Sequence, residues 1–520
     1  MAHIVIINPR FEPSYWGLEH ALDLLGVKSN VPVAALPLLA ALTPPRHKVT
    51  LMDECVEEID YDLCAKADII GVTGMIVQRH RMMEIVQELK KRGCYVAIGG
   101  PWVTVQEDYF GDSADVIFVG EAEDTWPQFL IDWQNGTVPK RYEQAVKSDM
   151  SKVPVPRHDL LKMERYALAS LQISRGCPFT CEFCDIIVTF GRRPRLKTSA
   201  QIIAELDSLW FQHKCETVFI VDDNLIGNKK LIKAHLRDII KWQEKNDYPM
   251  MFLTEASLDL ADDKEMMDLM VAANIRILFV GIETPNEDSL RETGKLQNLR
   301  KGGTIVEKVR MIQDAGMEVT SGHILGFDAD GPDIFDRQLM FIKQARIVNG
   351  MVGMLSAIPK TPLHARLKKD GRLDPSDRPE FGTNVIPTQL GRAQLHEGYV
   401  RVMNELYEPA AYFGRLDDLY FAGGLDQSAP QHRHMRRKPL KRLARGAALL
   451  AEAAYISLRL QWGVRDKGLR RHYRAAMGRV LRKRPRPDIL QAYAVKCAMH
   501  YHTHKLVAQM TGEGSMVNTF

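Results

Sequence analysis

The chain has 520 residues, a formal net charge of +4, 45% hydrophobic residues and 26% charged residues. This composition is typical of a globular protein of roughly three domains, and it excludes a disordered or fibrous chain. No run approaches the ~18 consecutive apolar residues of a membrane-spanning helix, and the N-terminal MAHIVIINPR lacks a signal-peptide pattern, so we expect a cytoplasmic protein.

Residues 1–140 alternate short apolar runs with helical patterns. The runs HIVIINP, KVTLMDE, DIIGVTG, YVAIGGP and DVIFVG predict an open parallel sheet covered by helices on both faces, a flavodoxin- or Rossmann-like α/β domain. Ligands of such sheets bind at the carboxyl ends of the strands. Thr73-Gly74 and Gly99-Gly100 follow two of these strands, where glycine permits close approach of a ligand, although ordinary turns would also explain them. The first strand continues into NPRFEP without a glycine fingerprint, which argues against a dinucleotide.

Residues 141–170 contain Pro154 and Pro156 and little periodicity, which predicts a linker. A second series of strands and helices follows over 171–365. Its strand candidates are LQIS, TVFIVD, MFLTE, ILFVGIE, EVTSGHILGFD and GMVGMLSAIP. Six strand–helix units predict a full or partial parallel (β/α)6 barrel with functional groups at the carboxyl ends of its strands. We expect a mostly helical region over 366–520.

Three of the eight cysteines lie within eight positions, spaced Cys177-x3-Cys181-x2-Cys184, directly after the first strand of the second series. Three thiolates this close repel one another unless a cation holds them, and a disulfide would leave one unpaired. Zinc would need a fourth ligand, whereas a [4Fe–4S] cluster held by three thiolates leaves one iron open. We therefore expect an iron–sulfur cluster, with zinc as the alternative. The other five cysteines are expected to be reduced core thiols.

The CxxxCxxC loop, with Phe183 directly before its last cysteine, resembles the signature of the radical S-adenosylmethionine (radical SAM) superfamily. The resemblance implies that Cys177, Cys181 and Cys184 hold the cluster and that S-adenosylmethionine chelates the open iron through its amino and carboxylate groups. An electron from the cluster then cleaves the sulfonium to a 5′-deoxyadenosyl radical.

The same resemblance predicts further cofactor-binding residues at the ends of the barrel strands. Asp222 and Asp223 would pair with the ammonium of the cosubstrate. The motif Gly322-His323-Ile324-Leu325-Gly326 would lie beside the adenine through Gly322, Ile324 and Gly326, with Asp328 replacing the acidic residue that the family has where this chain has Ala329. Glu255 and Glu283 would meet ribose hydroxyls or substrate; a solvated strand end or an ion pair is the alternative for each.

An open-sheet domain ahead of such a barrel is similar to the cobalamin-binding class of the superfamily. The resemblance implies a corrinoid whose nucleotide tail runs along Thr73-Gly74 and Gly99-Gly100. The chain has no Asp-x-His-x-x-Gly motif, which implies a cobalt without a protein imidazole and favours the Co(I) state. The stretches FIVDDNLIGNKK, LTEASLDLADD, GIETPNEDSL and TNVIP resemble the group that includes the hopanoid C-2 methylases.

The charge of the chain is concentrated in residues 431–490, which carry 18 Lys and Arg against three acidic residues, a net charge of +15. The middle portion, GAALLAEAAYISLRLQW, has an apolar helical face that is too short to span a bilayer and long enough to lie at its surface. We expect peripheral contact with an anionic membrane at its inner face. Nucleic acid is the less favoured partner, and a solvated helical cap on the barrel is the ordinary alternative.

These features together predict a cobalamin-dependent radical SAM methyltransferase that methylates an unactivated carbon, with a hopanoid-like lipid as substrate and a flavodoxin- or ferredoxin-like protein as electron donor. Two alternatives remain open at this point. One is an enzyme with the same cofactors that catalyses cyclisation or rearrangement, and the other is a cobalamin- or redox-sensing protein that binds nucleic acid. No catalytic side chain is predicted, since radical abstraction of hydrogen needs no general base.

Overall fold

A computed structural model describes residues 1–299 and 302–510. The chain forms two compact units. The first, here called the N-terminal unit, comprises Met1–Glu12, Val31–Gly227 and Ile358–Arg366. The second, the C-terminal unit, comprises Pro13–Asn30, Asn228–Ala357 and the chain from Leu367 onward. The predicted domain limits at 140, 170 and 365 stay predictions.

The strands are short, as expected for buried parallel strands. In chain order they are β1 His3–Asn8, β2 Lys48–Asp53, β3 Ile69–Thr73, β4 Val96–Gly99, β5 Val116–Val119, β6 Arg141–Glu143, β7 Ala169–Leu171, β8 Ser174–Arg175, β9 Arg195–Leu196, β10 Thr217–Ile220, β11 Met251–Glu255, β12 Ile275–Glu283, β13 Glu318–Leu325 and β14 Gly350–Met354.

The helices include several that begin at a side-chain cap, such as α8, where Thr198 precedes the helix and Gln201 in its first turn completes the capping box. In chain order they are α1 Glu19–Leu25, α2 Ala35–Leu42, α3 Tyr61–Cys64, α4 Arg79–Lys91, α5 Pro101–Val105, α6 Thr125–Asn135, α7 Ile186–Thr189, α8 Ser199–Asp207, α9 Lys229–Lys245, α10 Lys264–Ala272, α11 Glu287–Glu292, α12 Ile305–Ala315, α13 Ile334–Gln344, α14 Pro362–Lys369, α15 Arg392–Leu406, α16 Pro409–Asp417, α17 Ala429–Met435, α18 Pro439–Gly463, α19 Lys467–Lys483 and α20 Pro487–Met510.

The first sheet lies within the N-terminal unit and has the strand order β2-β1-β3-β4-β5-β6. All its strand pairs are parallel. Helices cover both faces: Val5 and Ile7 belong to a core that includes Met82 of α4, whereas Ile4 and Ile6 belong to a core that includes Trp126 of α6. Burial on both faces explains why these strands are nearly continuous apolar runs.

The second sheet has the order β14-β13-β12-β11-β10-β7. Its strands follow one another in chain order, with helices between them, which is the arrangement of an incomplete parallel barrel. Helices form the C-terminal region, where α15 lies against β14 and the Tyr407 hydroxyl donates to the carbonyl of Gly350 at 2.8 Å. The predicted fold class, two α/β regions followed by a basic helical region, is confirmed.

Two segments differ from the sequence-based expectation. Residues 141–143 of the predicted linker form β6, whose three residues are too few to show an alternating pattern. The strand expected over 171–174 ends at Leu171, because the Asp222 carboxylate accepts from the Ile173 N–H at 2.7 Å and draws the chain out of the sheet. Ser174 and Arg175 then pair antiparallel with β9.

In the described residues, no helix has both the length and the apolar character needed to cross a membrane.

Candidate functional site

The three-cysteine loop begins at a glycine that no other residue would replace easily. Gly176 has φ +94°, and a Cβ there would lie 2.9 Å from the carbonyl oxygen of Gly191 and 3.0 Å from that of Arg193. The Cys177 N–H donates to the same Gly191 carbonyl at 3.2 Å, so the loop closes on itself. None of the three cysteines forms a disulfide bond; Cys181 is buried, and Cys177, Phe183 and Cys184 are partly exposed.

Side chains that follow β10 anchor this loop. The two oxygens of Asp222 accept from the Ile173 N–H at 2.7 Å and from the Ser174 hydroxyl at 2.6 Å. Asp223 accepts from the Gly176 N–H at 3.3 Å, and burial raises the pKa of its carboxyl to about 7. The amide of Asn224 lies 3.8 Å from the sulfur of Cys177. The stretch Asp222–Asn224 therefore positions the residues just before the first cysteine and contacts that cysteine itself.

A buried ionic network, which sequence reasoning missed, supports the loop from its other side. Arg195 donates to both oxygens of Glu121, at 2.7 and 2.9 Å, and Arg175 lies 3.3 Å from the same carboxylate. Burial would raise the pKa of Glu121, but the hydrogen bonds from Arg195 and Gln144 outweigh it and hold that pKa at about 2. No sequence signal identifies this network, because Glu121 and Arg195 are 74 residues apart.

The cysteine loop also contacts the short returning segment of the N-terminal unit. The Glu182 carboxylate, between Cys181 and Cys184, forms an ion pair with Arg366 at 2.6 Å, and the Leu363 N–H donates to the Glu182 carbonyl at 2.9 Å. These bonds connect the loop to the beginning of α14 and restrict its movement.

At the edge of the first sheet, the structure brings together the two glycine-containing turns. Thr73 and Gly99 are partners in the parallel register of β3 and β4. Gly100 has φ +100°, and a Cβ there would lie 2.4 Å from the Thr73 hydroxyl and 3.0 Å from the Gly74 nitrogen. The backbones of the two turns are therefore in close contact, and a side chain at Gly100 would push them apart.

In the C-terminal unit, Glu255, Glu283 and the Gly322–Gly326 motif lie at the carboxyl ends of the adjacent strands β11, β12 and β13. Glu283 has an unusual φ of +66°. It forms an ion pair with Lys295 at 2.6 Å, and the Asn298 amide donates to the Ile282 carbonyl at 3.0 Å beside it. Strained backbone at a non-glycine residue is a feature of functional sites. The ion pair with Lys295 is also the alternative predicted for Glu283 from the sequence.

The Gly322–Gly326 motif is closely packed. A Cβ at Gly322 would lie 3.0 Å from the ring of Phe279, and Gly326 has φ +99°. Ile324 is buried, and His323 is fully buried with its ring 2.6 Å from the Ser321 hydroxyl. Burial lowers the pKa of His323 to about 3, so this histidine is neutral.

The acid that holds the turn after this motif is Asp330, and the role predicted for Asp328 stays a prediction. Asp328 forms an ion pair with Arg372, whereas the buried Asp330 accepts from the N–H groups of Gly326 and Phe327, both at 3.1 Å. Asp330 also accepts from the Ser289 hydroxyl at 2.8 Å. Its place in the turn-forming stretch FDADG is the signal that could have identified it.

One further cluster of potential metal ligands lies in the C-terminal unit. Ligand atoms of Asp426, His432 and Asp488 lie within 4.8 Å of one another. The guanidinium of Arg486 forms ion pairs with both carboxylates, at 2.8 Å from Asp426 and 2.7 Å from Asp488. The arrangement is therefore an ion-pair network whose positive charge Arg486 supplies.

Comparison with known proteins agrees with this architecture. The family model of the radical SAM superfamily matches residues 171–336, and that of a domain of unknown function, DUF4070, matches residues 361–514. The chain is 40% identical over 416 residues to the uncharacterized methyltransferase sll1242 of Synechocystis, covering 79% of this chain and 77% of that protein. It is 33% identical over 507 residues to the hopanoid C-2 methylase of Rhodopseudomonas palustris, covering 96% of this chain and 92% of that protein.

Two solved structures share the fold. OxsB, a cobalamin-dependent S-adenosylmethionine radical enzyme with aqua-cobalamin bound, superposes with a TM-score of 0.61 at 14% identity, over 98% of this chain and 81% of that chain. TsrM of Kitasatospora setae, a radical S-adenosylmethionine methyltransferase with cobalamin and a [4Fe–4S] cluster bound, has a TM-score of 0.57 at 18% identity, over 77% of this chain and 82% of that chain.

The fold and these matches define an enzyme of the radical SAM methyltransferase class. Within that class, the chain belongs to the cobalamin-dependent radical SAM family that contains the hopanoid C-2 methylase.

Proposed function

We propose that this enzyme transfers a methyl group from S-adenosylmethionine to an unactivated carbon of a hopanoid-like lipid. The observation that carries the proposal is the match to the hopanoid C-2 methylase over 96% of this chain, which includes both sheets and the C-terminal helices. A match along nearly the whole chain favours a related substrate over an unrelated one.

Cys177, Cys181 and Cys184 are the proposed ligands of a [4Fe–4S] cluster. Three cysteines outside any disulfide on one anchored loop suit such a cluster, since three thiolates leave one iron open to a cosubstrate. The Asn224 amide, 3.8 Å from the Cys177 sulfur, would stabilise negative charge on that thiolate. When bound, the cluster supplies the electron that cleaves S-adenosylmethionine, and cobalamin carries the methyl group.

The remaining predicted residues have the following proposed roles. Both Asp222 oxygens accept hydrogen bonds from Ile173 and Ser174, just before the cysteine loop, so we assign the cosubstrate ammonium to the neighbouring Asp223. The motif from Gly322 to Gly326 would lie beside the adenine, with its backbone held by Asp330. Glu255 and Glu283 would meet ribose hydroxyls or substrate. The apposed turns at Thr73-Gly74 and Gly99-Gly100 would accommodate the cobalamin tail.

Two partners complete the proposal. An external flavodoxin- or ferredoxin-like protein would deliver the electron. Peripheral contact with an anionic membrane is included because a polycyclic lipid has to be taken from a bilayer.

The test is an anaerobic reaction of the reconstituted enzyme with reductant, methylcobalamin, hopanoid-containing lipid and S-adenosylmethionine labelled with a trideuterated methyl group. We expect mass spectrometry to detect the label in the lipid together with 5′-deoxyadenosine. Cys181→Ser should abolish both products and lose the iron–sulfur absorbance, whereas Cys215→Ser, at a partly buried cysteine outside the loop, should retain them.

Labelled lipid together with unchanged iron content in Cys181→Ser would contradict the cluster assignment. 5′-Deoxyadenosine without labelled lipid would contradict the lipid substrate and favour cyclisation, rearrangement or another methyl acceptor.

A further inference from the structure

Helix α18, Pro439–Gly463, is apolar on two opposite faces. One face is buried in the C-terminal unit through Ala453, Ile456 and Leu460, and the helix lies along α20. On the other side, large apolar side chains spaced three, seven, eight and four residues apart face solvent. Their exposed fractions are 81% for Leu440, 72% for Leu443, 44% for Leu450, 59% for Leu458 and 86% for Trp462.

This exposed face carries no charge along the length of the helix. Alanines fill the positions between the large side chains, at Ala444, Ala447, Ala451 and Ala454, and all four are exposed. At 100° per residue these side chains share one stripe with the leucines and Trp462. A helix that only caps a folded unit carries polar residues on its solvent side, so the ordinary alternative of a solvated cap does not explain this surface.

Positive charge surrounds the stripe. Residues 436–467 contain nine Lys and Arg against two acidic residues. Arg436, Arg437 and Arg442 are exposed at the N-terminal end of the helix, and Arg465 and Lys467 are exposed just beyond its C-terminal end. Some of the other cations are engaged within the C-terminal unit, as Lys438 and Lys441 are with Asp247.

We infer that this face of α18 docks on an anionic lipid surface, with the helix lying parallel to the bilayer and its basic ends over the headgroups. Its 25 residues give a length of about 37 Å, which suits a helix lying in the interface. The inference deepens the membrane contact of the proposed function and rests on that function for the reason why the enzyme needs a bilayer.

Charge argues against the other occupants of this surface. Both ends of α18 are basic, so two copies of the chain would bring like charges together whether the helices paired parallel or antiparallel. Nucleic acid would meet the basic ends but would leave the central leucines against a polar backbone. A bilayer offers anionic headgroups and apolar chains to the same surface.

The test measures binding of the full-length protein to vesicles of phosphatidylcholine with phosphatidylglycerol, compared with vesicles of phosphatidylcholine alone. We expect flotation with the anionic vesicles that weakens as salt is raised. The double variant Leu443→Asp/Leu458→Asp should bind them about tenfold or more weakly, because charge is placed on the apolar stripe. Leu231→Asp, at a 44% exposed leucine on α9, is the matched control and should bind like the natural protein.

A second set of variants tests the charges. Arg436→Gln/Arg437→Gln/Arg442→Gln should lower binding to anionic vesicles about tenfold or more, since each surface cation contributes separately. Circular dichroism and thermal unfolding should show that all variants remain folded, because the altered side chains are exposed.

Failure of the natural protein to bind anionic vesicles would overturn the inference, and so would unchanged binding by the double leucine variant. A dimer that the leucine substitutions dissociate, without vesicle binding, would assign the face to a second copy. Binding to duplex DNA that needs the arginines but not the leucines, again without vesicle binding, would assign it to nucleic acid. Vesicle binding requires no turnover, so its loss with intact methylation of detergent-dispersed lipid would contradict only the docking surface. Vesicle binding without methylation of that lipid would contradict only the proposed function.

Discussion

At the scale of single residues, the cysteine loop depends on side chains that take no part in its thiol chemistry. Glu121 is the centre of this support, because its buried carboxylate holds Arg195 and Arg175 and accepts from the Ser148 N–H at 2.7 Å. Arg175 lies two residues before Cys177, so the ionic network and the first proposed cluster ligand share one short segment. Removing one partner of such a buried ion pair lowers the free energy of unfolding, because the other charge is left unpaired.

We predict that Glu121→Gln lowers the free energy of unfolding by about 3 kcal/mol, because the partly buried Arg195 loses its carboxylate partner, whereas Arg175 keeps its ion pair with Glu123 at 2.6 Å. Denaturant unfolding of the purified protein measures this change. Glu143→Gln is the control, since Glu143 pairs with Arg141 at an exposed edge and should show no resolvable change. Equal effects of the two substitutions would contradict the role assigned to Glu121.

At the scale of elements, the ends of the strands of the second sheet are shaped by loop contacts. The turn after β13 is held by Asp330, which accepts from two consecutive backbone N–H groups and from the Ser289 hydroxyl at the start of α11. Burial raises the pKa of Asp330, although these hydrogen bonds oppose the rise. One carboxylate thus orients the glycine motif proposed to lie beside the adenine.

We predict that Asp330→Ala lowers the free energy of unfolding by about 2–4 kcal/mol, because buried N–H groups lose their acceptor. It should also weaken binding of S-adenosylmethionine to the reconstituted enzyme about tenfold or more, which titration calorimetry measures. Asp333→Ala, at an exposed carboxylate in the same loop, should change neither quantity. Loss of stability with unchanged affinity would show that Asp330 supports the fold but not the proposed adenine contact.

At the scale of the whole molecule, several buried histidines make the fold sensitive to acid. Burial is the main cause that lowers the pKa of His158 and His502 to about 4 and that of His323 and His500 to about 3. These groups are neutral in the folded protein, whereas in the unfolded chain they bind protons below about pH 6.5. The stability they contribute is therefore present above pH 6.5 and is lost as the pH falls toward 3.

We predict that protonation of each of these histidines in the unfolded chain lowers the free energy of unfolding by about 2 kcal/mol between pH 6.5 and pH 5. The sum over the four histidines approaches the total stability of a typical protein. The melting temperature should therefore fall steeply over this range. His500→Gln should lower stability at pH 7.5, where the bonds to Tyr473 and Tyr407 are lost, but should reduce the further loss on acidification. The exposed His472→Gln is the control, and an unchanged pH dependence in His500→Gln would contradict the prediction.

Much of the fold follows from patterns that are local in the chain. The strands β1 to β5 lie in apolar runs because both of their faces are buried, and burial selects such runs directly. In β10 and β11 of the second sheet, buried residues alternate with partly exposed ones. The exceptions have physical reasons. β6 has only three residues, and the strand expected over 171–174 is ended by a carboxylate 49 residues away in sequence.

The sequence by itself indicated the class of chemistry, because the spacing of Cys177, Cys181 and Cys184 is a property of one short loop and resembles the radical SAM signature. It also indicated the basic, apolar character of α18. Only the tertiary structure showed that Asp330 accepts the hydrogen bonds of the turn after β13 and that Glu121 supports the cysteine loop. It alone also showed that the leucines of α18 face solvent. These facts depend on contacts between residues far apart in the chain, and no local pattern of residues encodes which of several similar carboxylates or apolar faces the fold will bury.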